Sequence, residues 1–180
     1  MNIKIVVMME EVIKRKTRKL PKSVRPEEFK KMITKTPKKE MRIKVAFLLA
    51  YGSGMRISEV LNLKPEHIKN NSIFIETSKY DRERIVPLPK GWKDEFIKFL
   101  PLNINRRTLQ RKFKKYAAFA KLNTDYTFHS LRHGFATRCL ESGVPINQVQ
   151  LLLGHSNIAT TNVYVKANPI DALKNYQELF

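Results

Sequence analysis

The sequence predicts a mainly α domain that carries a small antiparallel β-sheet, an α+β arrangement. Apolar residues recur at helical spacing through most of the chain, with proline, glycine and acidic residues marking the helix ends. One stretch, PEHIKNNSIFIETSKYDRERIVPLP, instead groups β-branched and aromatic residues between turn formers. With 180 residues, of which 42% are hydrophobic, the chain suits one domain with a substantial core.

In order, Pro26 opens a helix over RPEEFKKMI, with Glu27 and Glu28 in its first turn. These adjacent acids point different ways on a helix and read as solvated. A second helix spans about 39–51, its inner face supplied by Met41, Val45, Phe47, Leu48 and Leu49. YGSG breaks it, and MRISEVLNL starts a third, with Ile57, Val60, Leu61 and Leu63 inward. Arg56 then sits at that helix's exposed beginning, where the positive helix end and the guanidinium both favour an anion. The plainer alternative is that Arg56 merely pairs with Glu59, three residues on. Strands follow at about 67–69, 72–77 and 83–88, with turns at Asn70-Asn71 and at residues 79–82.

WKDEFIKFL (92–100) reads as an amphipathic helix with Trp92, Phe96, Ile97 and Leu100 inward. The next helix, 106–122, has an apolar stripe of Leu109, Phe113, Tyr116, Ala117, Phe119 and Ala120. Its other face carries Arg106, Arg107, Arg111, Lys112, Lys114 and Lys115 without an acid in the run, which suits a DNA backbone. A helix over 128–141 carries His129, Arg132 and His133, and the spacing of the first two puts them on one face. PINQVQLLLG forms another, opened by Pro145, and presents His155 at its end. The tail NPIDALKNYQELF is a short helix with an apolar side that must fold on its own core or dock on a neighbour.

Charge narrows the function. Lys and Arg number 35 against 16 acids, a net charge of +19 with a pI near 10.1. A polyanion offsets such self-repulsion, and nucleic acid is the leading partner. No apolar run approaches the ~20 residues of a spanning helix, and MNIKIVVMMEEV turns acidic too soon for a secretory signal. A cytoplasmic protein is expected. The single cysteine, Cys139, excludes an internal disulfide and reads as a small buried residue. No Cys-x-x-Cys or His-Glu-x-x-His is present, so neither metal nor other cofactor is expected.

The constellation His129, Arg132, His155 and Tyr164 suits attack on a phosphate. A phenol serves as nucleophile, a guanidinium grips the non-bridging oxygens, and imidazoles donate or shuttle protons. At HSLRH (129–133), LLGHS (152–156) and TTNVY (160–164) the chain resembles the tyrosine recombinases, the integrases of the lambda and Xer type. AYGSGMRISEVLNL (50–63) is similar to that family's first arginine box, and SKYDRERIVPLP (78–89) to its lysine hairpin. The five motifs fall in family order.

The resemblance implies the recombinase catalytic fold and cleavage of double-stranded DNA through a 3′-phosphotyrosyl bond to Tyr164. It assigns Arg56 and Arg132 to the phosphate oxygens, His155 to a hydrogen bond there, and His129 to proton transfer. Lys79 is the general acid, with Glu59 and His133 in support. Ser78 and Tyr80 stand where glycines usually flank the lysine, which leaves Arg82 as second candidate, a poorer acid. Arg82, Arg84, Arg106, Arg107, Arg111, Lys112 and Lys115 are the expected DNA contacts. Residues 1–20 form a basic extension, read either as a charged linker or as an arm on the backbone, and 21–180 form the catalytic domain. The family's usual preceding helical domain is expected to be missing, truncated or supplied elsewhere. Assembly as a dimer to tetramer on DNA is implied, with the C-terminal helix on a neighbour as one arrangement. The alternatives are a recombinase-derived DNA-binding regulator without catalysis, and topoisomerase-like cutting and rejoining without exchange.

Overall fold

The structure, a computed structural model of the protein, describes residues 22–76, 83–154, 173 and 176–178. Its first helix, α1 (Pro26–Lys35), begins at the expected proline. Glu27 is exposed, but Glu28 is drawn into the cap. Its carboxylate accepts the Arg25 N–H at 2.8 Å and the Tyr126 hydroxyl at 3.0 Å.

A 3₁₀ turn, Lys38–Glu40, leads into α2 (Met41–Gly52), the axis of the fold. Ile43, Val45, Ala46, Phe47, Leu49, Ala50 and Tyr51 of α2 are all buried. After Arg42 and Lys44 near its start the helix is apolar all round, as suits an element inside a core rather than along one face of it. Phe47 meets the rings of Phe113, Tyr116 and Phe128 at centroid distances of 5.9, 6.5 and 6.2 Å. Aromatic pairs at such distances and tilts add to the burial energy.

The short helix α3 (Ile57–Asn62) buries Val60, and Leu63 is buried just beyond its end. Strands β1 (Ile68–Lys69), β2 (Ser72–Ile75) and β3 (Arg84–Pro87) form an antiparallel sheet in the order β1-β2-β3. Lys69 pairs with Ser72 across Asn70 and Asn71, whose φ values of 49° and 58° make the two-residue turn. Both central residues of a type I′ turn need positive φ, which asparagine tolerates best after glycine. Ile75 pairs with Arg84, so the ladder is shorter than the expected 72–77 and 83–88. Lys79 and Arg82, in the connection between these strands, lie outside the described residues, as do residues 1–20.

The segment expected to be an amphipathic helix is 3₁₀, over Asp94–Phe99. Three residues per turn superpose i and i+3. Phe96 and Phe99, with Trp92, therefore pack on the core, and the inward place expected for Ile97 passes to Phe99.

Helix α4 (Arg106–Phe119) is capped by the Asn105 side chain, which accepts the Thr108 N–H at 2.7 Å. Leu109, Phe113, Tyr116 and Ala117 are buried as expected, but Phe119 is 57% exposed. The inner row runs through Leu109, Phe113, Tyr116 and Ala120, which is buried as well; Phe119 falls to one side of it and faces solvent, and the chain then turns through Lys121 at φ 54°.

Helix α5 (His129–Glu141) packs along α2, and α6 (Ile146–Leu153) packs on α5 and β3. A second apolar cluster of Phe135, Cys139, Val144, Val149, Leu152, Leu153 and Tyr176 lies here. Cys139 is fully buried, as expected, and burial pushes its thiol up to about 12. From the tail, the Tyr176 ring stacks on Phe135 at 5.5 Å and its hydroxyl donates to the Gly52 carbonyl at 3.3 Å. Of the two arrangements weighed for the tail, this residue follows the first, packing on its own chain. Tyr176→Ala should therefore cost about 3 kcal/mol, the lower end for emptying a buried aromatic site, read from urea unfolding.

Candidate active site

The site is built on the C-terminal end of α6. The last carbonyls of an α-helix have no partner within it, and its C-terminus carries partial negative charge. Here three successive carbonyls each accept from a different arginine. Leu152 takes the Arg84 Nε–H at 2.8 Å, Leu153 takes Arg132 Nη2, and Gly154 takes Arg56 Nη2 at 2.6 Å. Arg132 Nη1 also donates to the Gly54 carbonyl at 2.7 Å. Residues from α3, β3 and α5 thus meet at one helix end.

Glu59 is the carboxylate among them. Its Oε1 accepts Arg56 Nη1 at 3.0 Å, and its Oε2 accepts the Arg56 backbone N–H at 2.6 Å and Arg84 Nη2 at 2.7 Å. Arg132 Nη1 stands 4.0 Å from Oε2. Burial pushes the Glu59 carboxyl up, but the Arg84 hydrogen bond and charge, with those of Arg56, outweigh it and hold it below the usual glutamate range. Among the described residues, three guanidiniums face one carboxylate here, an excess of positive charge at this end of α6. The predicted pairing of Arg56 with Glu59 is present, at the start of α3 as expected. It does not consume the arginine, whose side chain is 27% exposed and also reaches Gly154.

Gly154 adopts φ 62°, and a Cβ there would lie 2.8 Å from Arg84 Nη1. Only glycine supplies both the left-handed turn and the close approach. Gly154→Ala is expected to cost about 1–3 kcal/mol through backbone strain, seen as a lower urea midpoint, and to displace the segment that carries His155.

His129 and Arg132 do not share an environment, although three residues apart. Arg132 is buried, whereas His129 is exposed at the first turn of α5. The His129 ring meets His133 instead, edge to face at 4.7 Å. Burial, reinforced by the neighbouring Arg132 charge, lowers the His133 pKa and favours its neutral form. His155 and Tyr164 lie outside the described residues, in the segment that leaves α6 directly after Gly154.

The basic face of α4 is partly as expected. Arg106, Arg107, Arg111 and Lys115 are exposed, and Lys115 lies 5.6 Å above the Phe119 ring. Lys112 differs: it is turned toward the body of the protein and paired with Glu40. An acid distant in sequence supplies the counter-charge that the run itself lacks. Arg84 departs further from the expected DNA contact. Its side chain is 3% exposed and its guanidinium is engaged by Glu59 and α6. The alternation of β3 carries the signal for this, since residue 84 shares a face with the fully buried Val86.

The phage integrase family profile matches residues 22–100 and 95–170. Tyrosine recombinase XerA of Thermococcus kodakarensis is 34% identical over 181 aligned positions, covering 89% of this chain and 63% of the relative. The chain therefore spans somewhat less than two thirds of that relative's length. Among solved structures, the integrase from mycobacterium phage Brujita superposes with a TM-score of 0.71 at 20% identity, over 92% of this chain and 60% of that one. The crystal structure of XerA recombinase gives 0.62 at 26% identity, over 87% and 64%. Both likenesses agree with the mainly α fold and its three-stranded antiparallel sheet; the profile, which matches most of the chain, and the 34% identical relative establish that this chain belongs to the phage integrase family.

Proposed function

We propose that this chain is the catalytic part of a site-specific DNA recombinase, cutting and rejoining double-stranded DNA through Tyr164. The observation that carries the reading is the surplus of cationic charge fixed on the end of α6, next in sequence to His155. Phosphoryl transfer spreads negative charge over the non-bridging oxygens, and cations held in place before reaction stabilise it without reorganisation. Arg56 and Arg132 serve as that clamp, and His155 donates a hydrogen bond to one oxygen.

The Tyr164 oxygen attacks phosphorus in line and the bond to the 5′-oxygen breaks. The phenolic proton passes toward His129, supported by His133, and Lys79 protonates the departing 5′-hydroxyl. The phosphotyrosyl ester keeps the energy of the broken bond, so rejoining is the same step reversed. Glu59 orients the arginines.

Arg106, Arg107, Arg111 and Lys115 hold the backbone through α4, with Arg82 from the β2–β3 connection; Lys112 contributes mainly within the fold. We take residues 21–180 as this unit and 1–20 as a basic extension. XerA and its relatives are named as recombinases, a process of paired sites, so assembly as a dimer to tetramer on DNA is part of the reading. Among the described residues no helix is long and apolar enough to cross a membrane; the cytoplasm is the compartment we propose, on the ground of the proposed DNA substrate.

The test is incubation, in EDTA, with nicked suicide duplexes bearing sites selected by binding from random-sequence DNA. A protease-sensitive adduct on the 3′ side of the break, mapped to Tyr164, is the expected product. Binding without any adduct sinks the reading.

A further inference from the structure

We propose that Arg84 is a positioning residue for cleavage: by occupying Glu59 Oε2 it keeps that carboxylate from drawing Arg132 away from phosphate. The inference rests on the cleavage reading above.

The argument counts lone pairs. A carboxylate oxygen has two acceptor sites. Both sites of Glu59 Oε2 are taken, one by the Arg56 backbone N–H at 2.6 Å and one by Arg84 Nη2 at 2.7 Å. Arg132 Nη1, 4.0 Å from the same oxygen, is within charge contact but outside hydrogen-bonding distance. Arg84 is itself fixed on the other side by its Nε–H bond to the Leu152 carbonyl. It is anchored at the first position of β3, opposite Ile75. Its buried guanidinium is therefore a wedge between carboxylate and helix end.

Without that wedge, one lone pair of Oε2 is vacated beside the Arg132 guanidinium. A charge-assisted hydrogen bond between them follows from a small movement. Glu59 then competes with the scissile phosphate for the clamp. The defect is one of charge, and it reaches the reaction through another residue.

Charge separates this role from simple anchoring of β3 to α6. A methylphosphonate at the scissile position replaces one charged non-bridging oxygen with a methyl group and needs less of the clamp. Wild type, Arg84→Met, Arg84→Lys and the double variant Arg84→Met/Glu59→Gln are compared in single-turnover adduct formation. Suicide duplexes carrying the selected site contain either the phosphodiester or the methylphosphonate. Noncovalent binding and circular dichroism are followed in parallel.

Arg84→Met should bind as wild type and lose about 100-fold in adduct formation on the phosphodiester, as for a misplaced oxyanion donor. On the methylphosphonate the loss should shrink by about 10-fold. Adding Glu59→Gln, which removes the competing charge, should restore about 10-fold over the single variant, a coupling typical of neighbours. Arg84→Lys, with a charge but no fork, should fall between them. Equal losses on both substrates, or no recovery in the double variant, overturn the proposal in favour of plain anchoring. If Arg84→Met does not fold, Arg84→Lys and the double variant carry the same comparison. If wild type itself forms no adduct on the selected DNA, the cleavage reading fails and this inference with it, before any variant is measured.

Discussion

Tyr164→Phe should bind selected DNA as wild type does and form no detectable covalent adduct, a loss on the order of 10⁴–10⁶-fold, as when other enzymes lose their nucleophile. The structure narrows the field of rivals. Of six tyrosines, Tyr51, Tyr116, Tyr126 and Tyr176 are buried. Burial, the first cause in each case, raises their hydroxyl pKa values, to about 12 for Tyr116 and Tyr176. A phenol that resists ionisation and is walled off from solvent cannot meet a duplex. Tyr80 and Tyr164 remain. Ten residues separate Tyr164 from Gly154, and a chain of ten can span up to about 35 Å, so reach to the arginine clamp is no obstacle. Tyr80→Phe is the control and should still form the adduct. Loss of the adduct in Tyr80→Phe but not in Tyr164→Phe reverses the assignment.

Glu59→Ala should be the most destabilising single change at the site, by about 3–5 kcal/mol, the range for removing one partner of a buried ion pair. The residue does more than pair once. Arg56 and Arg84 both bond it, Arg132 lies 4.0 Å away, and the Arg56 N–H at the cap of α3 would lose its acceptor. Urea unfolding measures the cost, and a shift below 1 kcal/mol contradicts it. The pH dependence has a definite sign. The folded-state pKa of Glu59 is depressed below the 4.5 of an unperturbed glutamate, so the unfolded chain takes up the proton first. The stabilisation is full above that value and is lost as pH falls through the lower, folded one. Glu59→Gln should therefore flatten the acid limb of the stability curve.

Much of this was legible in the sequence because local rules were not overridden. Pro26, Asn70-Asn71 and Gly154 each mark a boundary by their own backbone preferences, and the structure uses each as expected. Arg56 and Glu59 are three residues apart, within range of a single helical turn, so their pairing followed from spacing. What escaped was set by residues distant in the chain. Arg84 lies within a basic-looking stretch, RERIV, and only the approach of Glu59 and Leu152 makes it an interior residue. Lys112 belongs to a run without acids until Glu40 is folded against it. Phe119 looks like part of the helical stripe, but it lies beside the buried row that runs on to Ala120. The 3₁₀ segment Asp94–Phe99 defeated a reading at 3.6 residues per turn.

The arginines on the end of α6 also bear on when, during folding, the protein becomes able to act. Arg56 and its carbonyl partner are 98 residues apart, Arg132 and Gly54 are 78 apart, and Arg84 and Leu152 are 68 apart. Each contact closes a long loop, whose entropy must be lost before the bond forms. The basic face of α4, by contrast, is carried by one continuous helix. On the reading proposed above, a partly folded chain would present its basic face before it had gathered the arginines, and it could not cut until those long loops had closed.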